Sequence, residues 1–184
     1  YYGAIADWFD VELLDQLARR FADCEFLLIG GDTSGVGRAL SHHANVRMLG
    51  ERPYTELPRW LAEFDVCLIP FRVNDLTLAT NPVKIYEYLS AGKPVVSSDL
   101  PEIKQFGDLV YRASDNEHFV ECVRSALNEA DDAQATPLRS MRMAFAQQQT
   151  WQHRAARFVE SAEQCSDEPS VSVVVVSYNQ WQLT

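Results

Sequence analysis

The sequence predicts an α/β fold in which a parallel sheet is flanked by helices. Short apolar runs alternate along the chain with stretches in which apolar residues recur at helical spacing. The apolar runs contain no polar alternation, which is typical of strands covered on both faces. Strands that alternate with helices form βαβ units, and such units build parallel sheets. A Rossmann-like arrangement is therefore expected.

The first predicted helix is 10–22, because its apolar residues lie on one face. Thr55, Asn81, Thr136 and Thr150 are the expected caps of later helices. The predicted order of strands is 26–29, 46–49, 66–70, 94–97 and 109–111. The later predicted helices are 55–64, 82–91, 117–130, 137–149 and 150–164. Residues 1–4 look like the end of a strand that enters a turn.

Composition excludes several classes of protein. The 184 residues hold 16 Lys and Arg against 26 Asp and Glu, a net charge of -10. This sign argues against broad binding to nucleic acid or to anionic membranes. No apolar run reaches the ~18–20 residues of a membrane span, although membrane association of a longer parent protein stays open. The four cysteines are far apart, which predicts free thiols in a reducing, cytoplasmic compartment and no metal site among them.

The segment 81–96, NPVKIYEYLSAGKPVV, carries the most chemical information. Asn81 is placed to cap a helix, Pro82 suits its first position, and Gly92 suits its exit. Lys84 falls in the first turn, where free N–H groups attract phosphate, and Glu87 lies one turn further on the same face. The spacing leaves two interpretations open: a site for a diphosphate and a ribose, or a solvated ion pair.

Together, FDVCLIPF at 64–71 and NPVKIYEYLSAGKPVVSSDLPE at 81–102 resemble the C-terminal nucleotide-binding domain of GT-B-fold retaining glycosyltransferases, the group 1 type. The most specific part is Glu–x4–Gly–x–Pro–Val–Val, which begins at Glu87. The resemblance implies that Glu87 binds the donor ribose and that N–H groups of Val83 and Lys84 approach the diphosphate, since Pro82 has none. It also implies a nucleoside-diphosphate sugar as donor and no metal.

The sequence departs from this family at Ala79, where many members carry a second Glu that contacts the donor sugar. Thr80 and Asn81 are possible neutral replacements, and Ala79 puts the retaining outcome in doubt. The turn after the first strand offers Gly3 instead of the family's basic residues, so Lys84 and Arg72 remain as phosphate ligands. Arg52 follows the 46–49 strand, where the family contacts the base. The predicted donor-binding residues are Gly3, Arg52, Arg72, Thr80, Asn81, Pro82, Val83, Lys84 and Glu87, with Lys84 and Glu87 also catalytic.

Other motifs have simpler interpretations. The loop at 30–37, GGDTSGVG, lacks the Lys-Ser/Thr ending of a Walker A motif, and we expect a flexible loop near the phosphates but not on them. His42 and His43 are expected to be surface residues of a short helix with no third ligand nearby. The tryptophans Trp8, Trp60 and Trp151 are expected to be packing anchors.

The last residues, SVSVVVVSYNQ, resemble the first strand of a GT-A-fold glycosyltransferase. The predicted division is a donor-binding domain over 1–164, truncated at its first strand, a linker over 165–170, and the truncated start of a second domain over 171–184. A further hypothesis is that 171–176 docks on the sheet, in the slot of the missing first strand or at an edge.

The resemblance implies the donor-binding domain of an enzyme that transfers a sugar from a nucleoside diphosphate to an unidentified acceptor. Its cleft would need a partner, the N-terminal GT-B domain, so the 184-residue chain alone is expected to be inactive. The alternative is a non-catalytic Rossmann-like module that binds a nucleotide or a protein, and Ala79 is its best support.

Overall fold

The computed structural model describes residues 1–132 and 136–164. The chain divides into two compact units, Tyr1–Gln147 and a second that begins at Gln148. Within the described residues, the first unit holds every strand and all helices but the last, whereas the second holds a single helix, Trp151–Gln164.

The strands of the first unit form parallel ladders, as predicted. β1 pairs with β2, and β4 lies between β3 and β5. The strand bounds are Phe26–Ile29 (β1), Val46–Gly50 (β2), Cys67–Ile69 (β3), Val95–Ser98 (β4) and Tyr111–Ala113 (β5). β1, β3 and β4 are almost entirely buried, which explains why β1 and β3 are continuously apolar and why β4 begins with two valines and ends with two small serines. The α/β prediction is confirmed.

The first residues continue the sheet beside β1. Tyr1 O accepts from Ile29 N at 2.9 Å, and Gly3 N donates to Ile29 O at 2.8 Å. On the amino side of Tyr1, a groove of about 280 Å³ lies between β1 and the chain that leads into β3. The proposed occupant of such a slot, 171–176, lies outside the described residues, so its docking stays a prediction.

The helices agree with the predicted order but differ at their ends. Their bounds are Val11–Arg20 (α1), Val36–Ala39 (α2), Leu57–Glu63 (α3), Asp75–Leu78 (α4), Lys84–Ser90 (α5), Asn116–Asp131 (α6), Thr136–Gln147 (α7) and Trp151–Gln164 (α8). Short 3₁₀ helices cover Tyr54–Glu56 and Pro101–Leu109. Thr55 lies inside the first of these and does not cap α3. α5 begins at Lys84 after Val83, with no side-chain cap, so the prediction that Asn81 caps it is wrong.

Side-chain caps fix the ends of α1 and α6. Asp10 accepts from Leu13 N, and Asp115 accepts from His118 N, both at 2.9 Å. The inward face of α1 is fully buried at Leu13, Leu14, Leu17 and Ala18, as its periodicity predicts. Its outward face carries Asp15 and Arg19, which form an ion pair.

A charged pair holds α7 to the sheet. The Arg142 side chain is fully buried, forms an ion pair with Glu129 of α6, and donates through Nε to Leu109 O at 2.9 Å. Tyr111 of β5 donates to the same carboxylate at 2.9 Å. Burial raises the pKa of Glu129, but the hydrogen bonds from Arg142 and Tyr111 lower it more, so this pKa lies below its ordinary value. The carboxylate is therefore ionised, and the buried charges compensate each other.

The second unit is described through α8, whose predicted cap is confirmed because Thr150 Oγ1 accepts from His153 N at 3.3 Å. Trp8 and Trp60 pack partly buried against the core, as expected. Trp151 is 75% exposed, so its prediction as a packing anchor is wrong. Among the described residues, no helix combines the length and the apolar character needed to cross a membrane. The three cysteines described, Cys24, Cys67 and Cys122, are free thiols.

Candidate functional site

The predicted site residues lie where the chain leaves the carboxyl ends of the strands, the edge at which parallel α/β sheets bind ligands. Gly3 and Lys84 meet there although 81 residues separate them in the sequence. Gly3 has φ = 125°, and a Cβ at this position would lie 2.8 Å from Lys84 Cε. Only glycine therefore lets the first turn approach the lysine so closely, which brings two predicted donor-binding residues together.

Lys84 is partly buried among aromatic rings. Its Nζ lies 4.7 Å from the centroid of Tyr1 and 5.1 Å from that of Phe71, and it donates to Tyr1 Oη at 3.2 Å. Burial lowers the pKa of Lys84 to about 8, although the charge of Glu87 acts in the opposite direction. No described carboxylate forms an ion pair with this ammonium. Among the described residues, the Lys84 ammonium therefore has no anionic partner in an ion pair.

A pocket of about 280 Å³ opens beside Lys84. The N–H groups of Val83 and Lys84 precede the first closed turn of α5, and no described residue accepts a hydrogen bond from either. Two free N–H donors beside an unpaired ammonium form a favourable environment for an anion. The lining residues are Trp8, Phe71, Leu76, Thr77, Thr80, Asn81, Pro82, Val83 and Lys84.

Glu87 is held by two tyrosines rather than by Lys84. Tyr2 Oη donates to Oε2 at 2.7 Å, and Tyr54 Oη donates to Oε1 at 2.6 Å. Burial and then the bond to Glu87 raise the pKa of Tyr2, whereas the pKa of Tyr54 is raised mainly by the bond to Glu87. Both phenols are therefore protonated donors at neutral pH. The solvated Lys84–Glu87 ion pair, which the spacing left open, is not formed.

Thr80, Asn81 and Pro82 line the same pocket. The Thr80 hydroxyl donates to Leu76 O at 2.8 Å, and Asn81 Nδ2 contacts Glu102 Oε2 at 3.3 Å. Asn81 Oδ1 is buried and has no hydrogen-bond partner in the part of the chain that the structure describes. The pocket therefore offers a neutral hydroxyl and a neutral amide, whereas Ala79 adds no charge to it.

The two arginines lie apart from this pocket's lining. Arg72 forms an exposed ion pair with Glu12 at 3.0 Å. Arg52 is exposed in the turn after β2. The same turn reaches Glu87 through Tyr54, and the role of Arg52 stays a prediction.

The loop after β1 binds its own carboxylate. Asp32 accepts from the N–H groups of Ser34, Gly35 and Val36 through Oδ1 and from Gly37 through Oδ2, over 2.8–3.2 Å. Although burial opposes them, these bonds hold the pKa of Asp32 below its ordinary value. The N–H groups at the start of α2 are thus occupied. This agrees with the expectation that the glycine-rich loop is no phosphate loop, and it shows that the loop is anchored.

Sequence reasoning missed Tyr2 and Tyr54. Each pairs with Glu87 across the sequence, at separations of 85 and 33 residues. The local signal is position alone, because Tyr54 lies in the turn after β2 and Tyr2 in the segment that pairs with β1.

Comparison with known families assigns the chain. Residues 6–129 match the family described as Glycosyl transferases group 1. The chain belongs to this family. The match contains Lys84, Glu87 and the whole pocket, although it begins after Gly3. The resemblance to a group 1 GT-B domain is thus confirmed. The predicted GT-A-like start at 171–184 lies outside the described residues and stays a prediction.

Relatives of this group 1 glycosyltransferase chain agree with the assignment. A Bacillus subtilis protein, TuaH, which carries the name of a teichuronic acid biosynthesis glycosyltransferase, is 27% identical over 158 residues, 82% of this chain and 39% of TuaH. Anabaena HepE, solved with UDP and glucose, has a TM-score of 0.65 at 17% identity over 90% of this chain and 48% of HepE. Sucrose-phosphate synthase from Thermosynechococcus elongatus has a TM-score of 0.69 at 17% identity over 88% of this chain and 44% of the synthase. The chain thus spans less than half the length of each.

Proposed function

We propose that this chain binds the diphosphate of a nucleotide sugar beside Lys84 and forms the donor-binding half of a glycosyltransferase. The observation that carries the proposal is the Lys84 ammonium, which contacts the rings of Tyr1 and Phe71 and the Tyr1 hydroxyl and forms no ion pair with any described carboxylate. The free N–H groups of Val83 and Lys84 supply further donors at the same pocket. A diphosphate satisfies all three donors at once.

Glu87 is proposed to bind the ribose. A carboxylate accepts hydrogen bonds from the two hydroxyls of a ribose, and Tyr2 already fixes one of its oxygens from the buried side. Tyr54 is 71% exposed, so its hydroxyl can be replaced at Oε1 by a ribose hydroxyl. Glu87 and Lys84 lie one turn apart on one short helix, so a ribose bound by Glu87 would bring its attached diphosphate towards Lys84.

A uridine nucleotide is the proposed donor class. HepE was solved both with UDP and glucose and with UDP-glucose, and it shares the fold of this chain at TM-scores of 0.65 and 0.63. The sugar and the acceptor are left open. The role proposed for Thr80 and Asn81 is to contact the sugar, because they line the pocket beside the phosphate donors.

The proposed catalytic contribution is electrostatic. During transfer, the acceptor hydroxyl oxygen bonds to the anomeric carbon and its proton is released to solvent, while the bond between the anomeric carbon and the diphosphate oxygen breaks and negative charge develops on that oxygen. The Lys84 ammonium and the neighbouring N–H groups stabilise this charge without a metal ion. Glu87 contributes orientation by holding the ribose, so the leaving group stays beside these donors.

An N-terminal domain is proposed as the other half of the cleft. Apolar side chains around the pocket are exposed at Leu76, Leu78 and Val83, and TuaH and HepE are both more than twice as long as the part matched here. A cleft closed by a second domain would cover these side chains. We therefore expect no sugar transfer by the 184-residue chain alone, and turnover of UDP-glucose by this chain would contradict the two-domain proposal.

The proposal is tested by calorimetric titration of the chain with UDP, GDP and ADP. We expect one of them, UDP, to bind most tightly, and Glu87→Ala to weaken it by about tenfold, which corresponds to about 1.4 kcal/mol. Glu121→Ala removes an exposed carboxylate of α6 and is the matched control, which should bind as the unaltered chain does. Equal binding by Glu87→Ala, or no binding of any nucleotide, would overturn the proposed site.

The non-catalytic alternative depends on Ala79, which leaves the pocket without the second carboxylate that many relatives carry. It is separated from the enzyme proposal by assaying a longer chain that includes the N-terminal domain. Transfer that is lost on Lys84→Ala supports the enzyme, whereas tight nucleotide binding without transfer supports the binding module.

A further inference from the structure

A second cluster of polar side chains lies on the exposed face of α1. Asp15 Oδ1 is 2.8 Å from His43 Nε2 and 3.1 Å from His42 Nε2. One ligand atom from each residue lies within 4.8 Å of the other two. The expectation that no third ligand lies near the two histidines is therefore wrong, because α1 supplies Asp15 from 27 and 28 residues away.

The fold holds these side chains in place. α1 is anchored by its buried inward face, and Arg19 holds the Asp15 carboxylate through Oδ2 at 2.9 Å and through Oδ1 at 3.2 Å. The His43 side chain is only 9% exposed, and its ring centroid is 4.0 Å from that of His42. Both rings therefore face one oxygen, with His43 enclosed by the fold and His42 exposed.

The hydrogen-bond partner of His42 Nδ1 indicates which nitrogen of this ring carries the hydrogen. His42 Nδ1 lies 3.1 Å from Ala39 O, and a carbonyl oxygen only accepts, so Nδ1 carries the hydrogen. In a neutral imidazole, Nε2 then presents a lone pair, which faces the Asp15 carboxylate at 3.1 Å. Two acceptors face each other favourably only with a cation between them, either a proton or a metal ion. A histidine that donates the N–H of one ring nitrogen to a carbonyl, while its other ring nitrogen presents a lone pair, has the arrangement typical of metal ligands.

We propose that Asp15, His42 and His43 form a binding site for a zinc-like divalent transition metal. Two imidazoles and one carboxylate suit Zn²⁺ rather than Mg²⁺ or Ca²⁺, which prefer oxygen ligands. Tetrahedral zinc with bonds of ~2.0–2.1 Å separates its ligand atoms by about 3.3 Å, so the observed 2.8 and 3.1 Å must widen by only a few tenths of an ångström. The exposed His42 leaves space for a water as fourth ligand.

The site is separate from the nucleotide pocket. The histidines precede β2 and lie towards the amino ends of the strands, whereas Glu87 and Lys84 lie beyond the carboxyl ends. A metal here ties α1 to the segment that leads into β2. It therefore stabilises the fold and leaves nucleotide binding unchanged, so its test is independent of the proposed glycosyltransferase function.

The test is calorimetric titration of the metal-free 184-residue chain with zinc chloride. We expect one zinc per chain, bound at least tenfold more weakly by Asp15→Asn and by His42→Gln. His42 is exposed, so its variant keeps the fold, which circular dichroism without metal verifies. The matched control, His118→Gln with His153→Gln, removes the other two histidines and keeps every cysteine, and it should bind zinc as the unaltered chain does.

Two further readouts identify the site. Zinc at one hundred times its Kd should raise the melting temperature of the unaltered chain by about 5–11 °C and that of His42→Gln by much less. Cobalt(II) should give the visible absorption of a four-coordinate ion only where all three ligands are present. Zinc binding that is absent in the unaltered chain, or equally tight in Asp15→Asn and His42→Gln, would overturn the proposal.

Discussion

Raising the pH from 7 to 9 should weaken UDP binding through Lys84 alone. Burial lowers the pKa of this lysine to about 8 in the free chain. A bound diphosphate favours the charged ammonium and raises the same pKa, so binding takes up a proton above pH 8. Affinity is therefore full below the free pKa and falls as pH rises through it.

The magnitude follows from the pKa. With a value near 8, the protonated fraction of Lys84 is about nine-tenths at pH 7 and about one-tenth at pH 9. If only the ammonium form binds, the Kd for UDP rises about tenfold over this interval, which is about 1.4 kcal/mol. The phosphates of UDP are almost fully ionised throughout, since a terminal phosphate titrates near pH 6.

The assay is calorimetry with UDP at pH 7, 8 and 9 at constant ionic strength. Lys84→Arg is the matched control, because a guanidinium keeps its charge over the whole interval and should bind with a Kd that hardly depends on pH. Lys84→Met should bind weakly at every pH. A flat profile for the unaltered chain, or the same slope in Lys84→Arg, would refute the assignment of the ammonium to the phosphate site.

Three stability changes follow from the same contacts and are measured by urea unfolding. Arg142→Met leaves a largely buried carboxylate without its cation and should lower the free energy of unfolding by about 3 kcal/mol; a loss below about 1 kcal/mol would show that the pair is dispensable. Tyr2→Phe removes a hydrogen bond to Glu87 from a residue that is only 4% exposed and should lower the free energy of unfolding by about 1 kcal/mol. Tyr54 is exposed, so Tyr54→Phe should lower it by less than about 0.5 kcal/mol. Equal losses in the two variants would contradict this effect of burial. Gly30→Ala places a methyl group 2.0 Å from a backbone carbonyl oxygen at φ = 150° and should cost about 2 kcal/mol or more, so near-native stability would refute the close approach.

The order of elements was predictable because burial on both faces leaves a local signal. β1 and β3 are continuous apolar runs, β4 begins with two valines, and the apolar residues of α1 lie on one face, all of which is visible before any tertiary contact is known. Helix ends were less predictable, because competing local bonds decide them. α4 was missed since its signal is a capping box, in which Asn74 and Thr77 exchange hydrogen bonds over four residues.

Two residues of the candidate site are close in the sequence, whereas their contacts come from distant segments. Lys84 and Glu87 lie one turn apart, so sequence could place them on one face of a helix. Their partners come from distant segments: Tyr2 reaches Glu87 across 85 residues, and Tyr1 covers Lys84 across 83. The Asp15–histidine cluster was invisible for the same reason. A ligand set assembled by tertiary packing has no spacing to read.

The most direct test of the central claim is the response of two amide resonances. In the ¹⁵N-labelled chain, the free N–H groups of Val83 and Lys84 should shift strongly when UDP is added, because each gains a charged acceptor. Uridine, which has the same base and ribose but no phosphate, should leave them almost unchanged. Shifts of both amides with UDP and not with uridine are the predicted result. UDP binding that leaves both amides unmoved would contradict the phosphate site beside Lys84.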